Sequence, residues 1–589
     1  MSSAYELDKA GYNVILVEAR SRPGGRVSTY RDQFSDNLYS EMGAEYVDST
    51  DMYVQDYCRE FNLKILPARQ YDGVYVRGNE LSMDRIISGD VTLPYTGTEN
   101  GMLFGQEVKY IQKWIDLVNK KGINSSEVQA LDKISVEDIL KEGGAPQDII
   151  ELYTYANATE STTTPSKISA LAMILSNIKT TGFSENTVEG RIFGGNDQLP
   201  KILAEKLGKK INYNTPLYKL NYDSDGVTAT VKDKGKLTKI SAKTCVIALP
   251  ASVLKNIDVN PGFSKEKIKC INEQAYGHAM KIAMQYKKRF WDNTNSIGQR
   301  VFTDTPLRRI YHFSIDQPGP RGILLSFTSG EDAIKLGKLS DDKRNEIAKN
   351  TCSKIWQEAP QYWERGVVKY WNEDPWAKAS YSFSGVGQKD FREVLARPEG
   401  PVYFAGEHTA IQRASMNGAI ESGLRVTDEI TIKVVEEALL ELNSEIINNL
   451  KNLQTNVESI APHNKNIIKI KPEKKELGFV GSPKEIDSKC ILKIIKEKKI
   501  PILVPMGTSD DKKIYNINAD IAAGSVAKEL NSRRLLLMTD VEGVLDKNKK
   551  LIPEINSSIA EKMLKDGDIS GGMIPKISTC LDAVNNGVT

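Results

Sequence analysis

Residues 17–29 read VEARSRPGGRVST and continue an apolar run, 12–17, that is rich in strand-forming residues. Glu18 closes this strand, and Gly24 and Gly25 lie in the loop that follows it. In a βαβ unit that binds a dinucleotide, an acid at the strand end bonds a ribose hydroxyl. Glycines in the loop let the backbone approach a pyrophosphate closely. The pattern predicts the second half of such a unit.

The first half of the unit is not found upstream. Residues 2–9 carry helix formers, and Gly11 suits a helix C-cap. A complete unit begins with a strand and a GxGxxG turn, which together supply the main anion site. No such turn precedes residue 2. We therefore expect a truncated Rossmann-like domain with a weakened hold on its cofactor.

Composition sets the outer limits on function. A chain of 589 residues accommodates about three or four domains. Its 79 Lys+Arg against 77 Asp+Glu give a net charge of +2, which argues against a broad nucleic-acid surface. No run approaches the ~18–20 apolar residues of a membrane span. The N-terminus lacks the basic and apolar regions of a secretory signal.

The cysteines and histidines show no metal-ligand pattern. Six cysteines are scattered along the chain without a CxxC pair, and the four histidines show no ligand spacing. We expect no metal site formed by these residues. Scattered cysteines are typical of reduced thiols, which predicts a cytoplasmic protein.

Four further motifs follow in order along the first 425 residues. They are MGAEYVD at 42–48, GGNDQLPKILAEKL at 194–207, CVIALPASVL at 245–254 and PVYFAGEHTAIQRASMNGAIESG at 401–423. With 17–29, they resemble the flavin-dependent monoamine oxidase and L-amino acid oxidase family. The resemblance implies an FAD-binding part formed by about 1–75, 190–285 and 385–425. An α+β substrate part would comprise 76–189 and 286–384.

The resemblance also implies cofactor contacts. Glu18 would bind the ribose, Arg20 and Arg26 the pyrophosphate and flavin, and Glu407 the phosphate–ribityl region. The backbone N–H of Met416 would face the flavin ring. Gly24 and Gly25 complete the predicted cofactor-binding residues. No cysteine lies near Ser380, where some family members attach flavin covalently, so FAD would be bound non-covalently.

The family reaction transfers a hydride from the α-carbon of an amine to the flavin, and O2 then reoxidises the flavin to give hydrogen peroxide. Lys281 matches the lysine that holds a water near the flavin, and its apolar surroundings, Met-Lys-Ile-Ala-Met, favour a buried role. Tyr381 resembles one aromatic wall of the substrate site. Ser415 takes the facing position, where monoamine oxidases carry an aromatic residue. That departure leaves polyamine, amino-acid and indole-type substrates open.

A second series of motifs begins at Leu424. It includes LGFVGSPKEI at 477–486, YNINADIAAGSVAKEL at 515–530 and DGDISGGMIPKISTCLDA at 566–583. The series resembles the acetylglutamate kinase branch of the amino acid kinase family, which phosphorylates N-acetylglutamate with ATP and Mg²⁺. We assign residues 426–589 to this region as an incomplete α/β sandwich. IPILVPMG, RLLLMTD and ISGGMIPK are predicted to be short strands that lead into glycine turns.

The kinase resemblance assigns five site residues. Arg425 would pair with the substrate α-carboxylate, and Asn516 would bind the substrate. Asp520 would orient the catalytic lysines, Lys576 would stabilise the transferring phosphoryl group, and Asp540 would lie by the nucleotide. The family begins with a strand, a lysine and a Gly-Gly phosphate loop, none of which precedes Leu424. We therefore expect an impaired kinase.

Three functions follow from the α/β fold class and these motifs. The first is an FAD-dependent oxidase of amines or amino acids, impaired by loss of the GxGxxG turn. The second is an acetylglutamate kinase of arginine biosynthesis. The third is a non-catalytic composite of two fragments. The partners implied are an amine or amino acid with O2, and N-acetylglutamate for the kinase region.

Overall fold

The computed structural model describes residues 1–68, 70–180, 190–293, 297–474, 477–539, 542–545, 550–569 and 571–588. The chain divides into two compact units, Met1–Val426 (unit 1) and Thr427–Thr589 (unit 2). Both units mix helices with strands, so the predicted α/β fold class is confirmed. The division lies beside the predicted boundary at 425/426, while the extent of each functional domain stays a prediction.

The helices are numbered along the chain. In the first part they are α1 Ser2–Lys9, α2 Met52–Glu60, α3 Met83–Ile87, α4 Val108–Lys121, α5 Ser126–Gln129, α6 Val136–Glu142, α7 Gln147–Ala156, α8 Ala170–Thr180, α9 Gln198–Leu207, α10 Ala251–Leu254, α11 Lys265–Glu273, α12 Gly330–Gly337, α13 Asp341–Ile355, α14 Ala359–Tyr362 and α15 Phe391–Ala396. Then follow α16 Met416–Asn452, α17 Ser488–Lys496, α18 Ala519–Glu529, α19 Ser557–Lys565 and α20 Met573–Asn585. No helix among the described residues is both long and apolar enough to cross a membrane.

The strands of unit 1 are β1 Leu16–Val17, β2 Thr29–Tyr30, β3 Ser40–Glu41, β4 Ile65–Pro67, β5 Gly73–Val76, β6 Asn79–Ser82, β7 Gly190–Ile192, β8 Ile211–Asn212, β9 Leu217–Tyr222, β10 Val227–Asp233, β11 Lys236–Ala242, β12 Cys245–Ile247, β13 Asp258–Asn260, β14 Ala279–Tyr286, β15 Arg300–Thr303, β16 Arg309–His312, β17 Gly322–Ser329, β18 Trp363–Tyr370 and β19 Val402–Phe404. Those of unit 2 are β20 Val457–Ile460, β21 Ile468–Pro472, β22 Gly481–Ile486, β23 Ile500–Leu503, β24 Met506–Thr508 and β25 Ile514–Asn516.

The parallel pairing of unit 1 comes as two short pairs. β1 pairs with β8, with Leu16 opposite Ile211. β12 pairs with β19, with Cys245 opposite Val402. A doubly wound domain joins such pairs into one sheet, but no strand among the described residues connects these two. The helix predicted at 2–9 is present as α1, which leads to Gly11 at φ +87° and then to β1.

A seven-stranded sheet forms the other core of unit 1, in the order β18-β14-β17-β16-β15-β5-β6. β14 pairs antiparallel with both β17 and β18, and every one of its residues is buried. Burying side chains such as Met280, Ile282 and Met284 contributes about 1.5–3 kcal/mol each. β14 was predicted in the FAD-binding part, yet it pairs with strands predicted in the substrate part. Lys281 therefore lies on a rigid, fully packed strand.

Residues 108–180 are mostly helical. Helices α4, α6, α7 and α8 bury one common apolar cluster, which includes Ile111, Val136, Ile139 and Ile174, each fully buried. Helix α6 begins with a capping box, in which Ser135 and Asp138 satisfy each other's backbone N–H groups. This layer supports the substrate part of unit 1.

Unit 2 contains a four-stranded sheet, β22-β21-β24-β25, and a separate parallel pair, β20–β23. Ile468, Ile470, Ile491 and Ile494 lie in its main apolar core. IPILVPMG forms β23 and β24, as predicted. The predictions for the other two segments were wrong. RLLLMTD forms no strand in its described residues, because no described segment pairs with its backbone. ISGGMIPK leads into helix α20, and Pro575 lies in the first turn of that helix, where proline is tolerated.

Candidate functional site

Glu18 lies at the carboxyl end of β1, where the chain turns into the glycine loop. Its backbone N–H donates to the carbonyl of Asn212 at 2.9 Å. Its Oε1 accepts from the backbone N–H of Arg20 at 2.8 Å. Burial raises the pKa of Glu18, while the N–H and charge of Arg20 oppose that rise. The carboxylate has lone pairs left for a hydroxyl donor such as a ribose.

The loop after Glu18 contains two glycines in the left-handed backbone region and is held by Arg22. Gly24 and Gly25 have φ values of +94° and +57°, which favour glycine. The guanidinium of Arg22 donates to the carbonyls of Gly25 and Val27, each at 2.9 Å. The backbone N–H groups of Gly25 and Arg26 donate to no described residue. Successive free N–H groups in such a turn form a concavity for an anion.

Arg20 forms an ion pair with Asp374, a residue that lies outside the sequence motifs. Its two terminal nitrogens donate to the two oxygens of Asp374 at 2.9 and 2.6 Å. Lys369 donates to the same carboxylate at 2.7 Å. Burial opposes ionisation of Asp374, but the bonds from Arg20 and Lys369 lower its pKa. The predicted contact of Arg20 with a pyrophosphate stays a prediction, since its fork is engaged by the protein.

Arg26 and Glu407 meet at the centre of the cofactor-binding motifs. Arg26 Nη1 donates to Glu407 Oε1 at 2.9 Å and also to the carbonyl of Ser380. The hydroxyl of Ser382 and the backbone N–H of Ala414 donate to Glu407 Oε2 at 2.7 and 3.0 Å. Although burial would raise it, the pKa of Glu407 is lowered by Arg26 and these donors. Glu407 is therefore a buried, ionised anchor.

Helix α16 begins at this anchor. Ser415 Oγ accepts from the N–H of Gly418 at 2.9 Å, so Ser415 acts as an N-cap. The N–H groups of Met416 and Asn417 donate to no described residue, although both residues are buried. Buried N–H groups without an acceptor are rare in folded proteins. The start of α16 therefore offers two buried donors, while the predicted contact of Met416 with a flavin ring stays a prediction.

Tyr381 and Ser415, the two positions predicted to line the substrate site, are each adjacent in sequence to a residue that hydrogen-bonds Glu407. These residues are Ser382 and Ala414. The hydroxyl of Tyr381 donates to the carbonyl of Glu160 at 2.8 Å. The fold thus brings together chain positions that are far apart in sequence, while the role of either wall stays a prediction.

Lys281 is buried with a carboxylate. Its Nζ donates to Glu45 Oε2 at 2.6 Å and to the carbonyl of Glu41 at 3.1 Å. The hydroxyl of Tyr311 donates to the same oxygen of Glu45 at 2.6 Å. The Lys281 and Glu45 side chains are only 6% and 4% exposed. An ammonium has three donors, and the third donor of Lys281 has no acceptor among the described residues.

A pocket opens beside this ion pair. Its empty volume is about 450 Å³, part of it open to solvent, and Glu45 and Tyr311 lie in its wall. Arg191 and Arg300 also line it. Arg300 lies over the ring of Tyr71, 4.5 Å from the centroid. The pocket therefore combines a tyrosine hydroxyl, a carboxylate and two guanidinium groups.

Glu41 adds a second carboxylate behind Lys281. It is fully buried, and its Oε1 accepts from the N–H of Asn196 at 2.7 Å and from Thr29 Oγ1 at 2.8 Å. Burial raises the pKa of Glu41 to about 7, against opposition from these donors and from Lys281. The environment of Lys281 therefore contains a group that titrates near neutral pH.

These residues fit a bound FAD at three points. Glu18 offers a ribose acceptor, Gly25 and Arg26 offer unengaged N–H groups to a phosphate, and Met416 offers a buried N–H to a ring. The guanidinium groups of Arg20 and Arg26, in contrast, already donate hydrogen bonds to acceptors within the protein. Among the described residues, no group of three or more His, Cys, Asp or Glu side chains is arranged to hold a metal ion. All six cysteines are free thiols.

In unit 2, two predicted kinase residues meet. Nζ of Lys576 on α20 lies 2.9 and 3.0 Å from the two oxygens of Asp520 on α18. Asn518 caps α18 by accepting from the N–H groups of Asp520 and Ile521. Asn516 ends β25, and its N–H donates to the carbonyl of Phe479. The lysine–carboxylate pair is the clearest chemical feature of this unit.

The remaining two kinase residues are not part of this pair. Arg425 lies in unit 1, where it donates to the carbonyl of Phe404 at 2.9 Å and to Thr409 Oγ1 at 3.1 Å. Its predicted role with N-acetylglutamate stays a prediction. Asp540 lies outside the described residues.

Several site residues were missed by sequence reasoning. Glu45 stands inside the quoted motif MGAEYVD, but nothing in the motif showed that it would reach Lys281, 236 positions away. Asp374 and Tyr311 lie in no motif at all. Glu41 ends the short strand β3, and only its burial makes it notable. A buried lysine predicts some carboxylate partner, but not which one.

Two models of known protein families match the chain. A model described as flavin containing amine oxidoreductase matches residues 1–431. A model of the amino acid kinase family matches residues 402–589.

Individual relatives divide in the same way. The L-amino-acid oxidase of Siganus canaliculatus is 28% identical over 448 residues, which cover 73% of this chain and 83% of that protein. The acetylglutamate kinase of Pelagibacter ubique is 50% identical over 167 residues, 28% of this chain. The chain spans only 58% of the length of that kinase.

Among solved structures, putrescine oxidase bound to putrescine has a similar fold. The TM-score is 0.63 at 20% identity, and the match covers 73% of this chain and 96% of that one. The chain therefore belongs to the flavin-containing amine oxidoreductase family through residues 1–431, and residues 402–589 add a region that matches the amino acid kinase family.

Proposed function

We propose that unit 1 is an FAD-dependent oxidase of amines or amino acids, which uses O2 and releases hydrogen peroxide. The single observation that carries the proposal is the cluster of Lys281, Glu45 and Tyr311. Lys281 and Glu45 form a buried ion pair, and Glu45 and Tyr311 line a pocket, in a chain of the flavin-containing amine oxidoreductase family. When bound, FAD supplies the hydride acceptor for oxidation at the α-carbon.

The cofactor would be held non-covalently by residues at three places. Glu18 would accept from a ribose hydroxyl, and the N–H groups of Gly25 and Arg26 would donate to a phosphate. The buried N–H of Met416 would donate to the ring. Glu407 keeps Arg26 and the start of α16 in place by accepting from Arg26 and Ala414. This arrangement supports binding through backbone donors more than through arginine side chains.

Lys281 would hold a water molecule. Two of its donors are fixed by Glu45 and the Glu41 carbonyl, which leaves the third for an external acceptor. Glu45 would orient the amino group of Lys281, since its carboxylate accepts from Nζ at 2.6 Å. Tyr381 and Ser415 would line the substrate space, with Ser415 leaving more room than an aromatic residue. Both amines and amino acids remain substrates to be tested.

The test is peroxide formation by the full chain with added FAD and a panel of amines and L-amino acids. Lys281→Met is expected to abolish turnover while FAD still binds. Lys287→Met, which removes an exposed lysine beyond the same strand, serves as the matched control and is expected to keep turnover. Peroxide formation by Lys281→Met at the rate of the unmodified chain would contradict the proposal.

A second candidate function rests on the Lys576–Asp520 pair. We propose, as the alternative, phosphorylation of N-acetylglutamate by ATP and Mg²⁺ in unit 2. Lys576 would stabilise charge on the transferring phosphoryl group, and Asp520 would orient it. ATP turnover that requires N-acetylglutamate and disappears in Lys576→Met is the expected result. Turnover by neither unit would leave the third reading, a non-catalytic composite.

A further inference from the structure

The loop before helix α16, residues 411–414, is held at both ends by buried carboxylates. Glu421, which is 7% exposed, accepts from the first two backbone N–H groups of the loop at 2.9 and 3.2 Å. Glu407 accepts from the N–H of Ala414 at 3.0 Å. Because both ends of the loop are hydrogen-bonded, the backbone on either side of Arg413 has a defined course.

The side chain of Arg413 is half-buried, yet its guanidinium hydrogen-bonds to no described residue. Burial lowers the pKa of Arg413, and the carboxylate of Glu407 opposes this effect while the charge of Arg392 adds to it. Arg392 itself pairs with Glu393 at 3.0 Å. A guanidinium has five donors, and removing them from water is costly unless they find an acceptor. Arg413 therefore has donors available for an acceptor that the described residues do not supply.

The arginines of the segment 20–31 differ from Arg413 in this respect. Each of them donates to an acceptor within the protein: Arg20 to Asp374, Arg22 to Val27, Arg26 to Glu407 and Arg31 to Asp197. The guanidinium groups that were predicted to bind a pyrophosphate are thus already engaged. A phosphate bound at the glycine loop would therefore need a cation from elsewhere in the fold.

Arg413 and the glycine loop meet at the same carboxylate. Arg26 Nη1 donates to one oxygen of Glu407, and the N–H of Ala414, the residue after Arg413, donates to the other. Glu407 thus joins the loop that carries the proposed phosphate donors, the N–H groups of Gly25 and Arg26, to the loop that carries Arg413. One carboxylate cannot neutralise two guanidinium groups, so this junction favours an anion.

We propose that Arg413 binds a phosphate of FAD, as the side-chain cation of a site whose other donors are the backbone N–H groups of Gly25 and Arg26. The inference rests on the proposed oxidase function of unit 1, since it takes FAD as the ligand. A guanidinium offers two parallel donors to phosphate oxygens, and its charge offsets theirs. A phosphate is a better acceptor here than the flavin ring, because Glu407 joins Arg413 to the glycine loop.

The test is the affinity of the full chain for FAD, measured by equilibrium dialysis without turnover. Arg413→Met is expected to weaken FAD binding about tenfold or more, because charge-assisted hydrogen bonds to a phosphate are lost. Arg413→Lys keeps the charge without the planar fork and is expected to recover part of that loss. Arg397→Met changes an arginine whose side chain is 61% exposed, and this matched control should bind FAD as the unmodified chain does.

Three further measurements separate a phosphate contact from an effect on folding or on the flavin ring. Riboflavin, which has the ring but no phosphate, should bind Arg413→Met and the unmodified chain equally. The FAD affinity of Arg413→Met should fall less steeply with added salt, because one ionic contact is missing. The midpoints of urea unfolding should agree for the two chains, since the guanidinium of Arg413 hydrogen-bonds to no described residue.

Equal FAD affinity of Arg413→Met and the unmodified chain would overturn this inference and leave the oxidase proposal intact. Losses of riboflavin and FAD affinity by the same factor would also overturn it, because Arg413 would then act through the ring or through folding. Failure of the unmodified chain to bind FAD saturably would overturn the oxidase proposal, and this inference with it.

Discussion

Units 1 and 2 each hold a predicted catalytic lysine against a carboxylate, but in different surroundings. In unit 1, Lys281 and Glu45 are 6% and 4% exposed, and Tyr311 shares the carboxylate. In unit 2, the side chains of Lys576 and Asp520 are 23% and 17% exposed and hydrogen-bond only to each other among the described residues. The first pair is built into a packed sheet, and the second joins two helices near the surface.

The difference lies in the structure around each predicted site. In unit 1 a seven-stranded sheet contains the lysine, and the parallel strands form two separate pairs. In unit 2 the lysine pair joins two helices, and an apolar segment, 535–538, has no strand neighbour among the described residues. A buried pair must be complete, because an unpaired buried charge is costly, whereas a surface pair can be lost at little cost.

The largest expected effect comes from breaking the buried pair. Lys281→Met leaves the Glu45 carboxylate buried without its cation, which should destabilise unit 1 by about 3–5 kcal/mol. All six tryptophans of the chain lie in unit 1, so tryptophan fluorescence during urea unfolding reports on that unit alone. A loss below about 1 kcal/mol would mean that Glu45 is not buried as described.

The next effect concerns pH and Glu41. A carboxyl whose pKa is about 7 in the folded state, against 4.5 normally, favours folding when protonated. Its destabilising contribution should grow as pH rises from about 4.5 to 7 and reach about 3 kcal/mol above that. Glu41→Gln removes the titration, so its stability relative to the unmodified chain should improve between pH 5 and pH 8.

The control for this titration is Glu393→Gln, which alters an exposed carboxylate on α15. That variant should track the unmodified chain at both pH values. A constant difference between Glu41→Gln and the unmodified chain across the same range would show that Glu41 does not titrate there.

Two glycines provide a matched pair with a smaller effect. Gly25 in unit 1 and Gly571 in unit 2 both have φ +57° and open space where a Cβ would lie. Alanine at either position should cost about 1–2 kcal/mol of stability, since only the backbone conformation is strained. Gly25→Ala should in addition weaken FAD binding, because it disturbs the loop N–H groups. Equal FAD affinity in Gly25→Ala and Gly571→Ala would argue against that loop as a phosphate site.

The smallest expected effect is in the partly buried Lys576–Asp520 pair of unit 2. Lys576→Met should change the stability of unit 2 by about 1 kcal/mol or less, as is usual for ion pairs near the surface. Hydrogen exchange of peptides from α18 and α20 measures this directly. If Lys576→Met lost as much stability as Lys281→Met, the two ion pairs would not differ in their contribution to stability, and the comparison would be wrong.

The sequence predicted those parts of the fold and site that depend on local pattern. Helix α1 and the buried strand around Lys281 follow from helix formers and from an apolar run. The contacts of Arg20 with Asp374 and of Lys281 with Glu45 could not be predicted, since they join residues 354 and 236 positions apart. RLLLMTD has strand composition, but a strand also needs a neighbour. ISGGMIPK was misread because its glycines and proline also suit a helix N-terminus.

The most direct test of this account is the affinity of the purified full chain for FAD. Equilibrium dialysis of chain prepared without added flavin should show saturable binding of FAD. Binding should weaken in Glu18→Gln, which removes a ribose acceptor. A chain that never binds FAD saturably, or one whose FAD affinity is the same in Glu18→Gln, would contradict the proposed flavin site in unit 1.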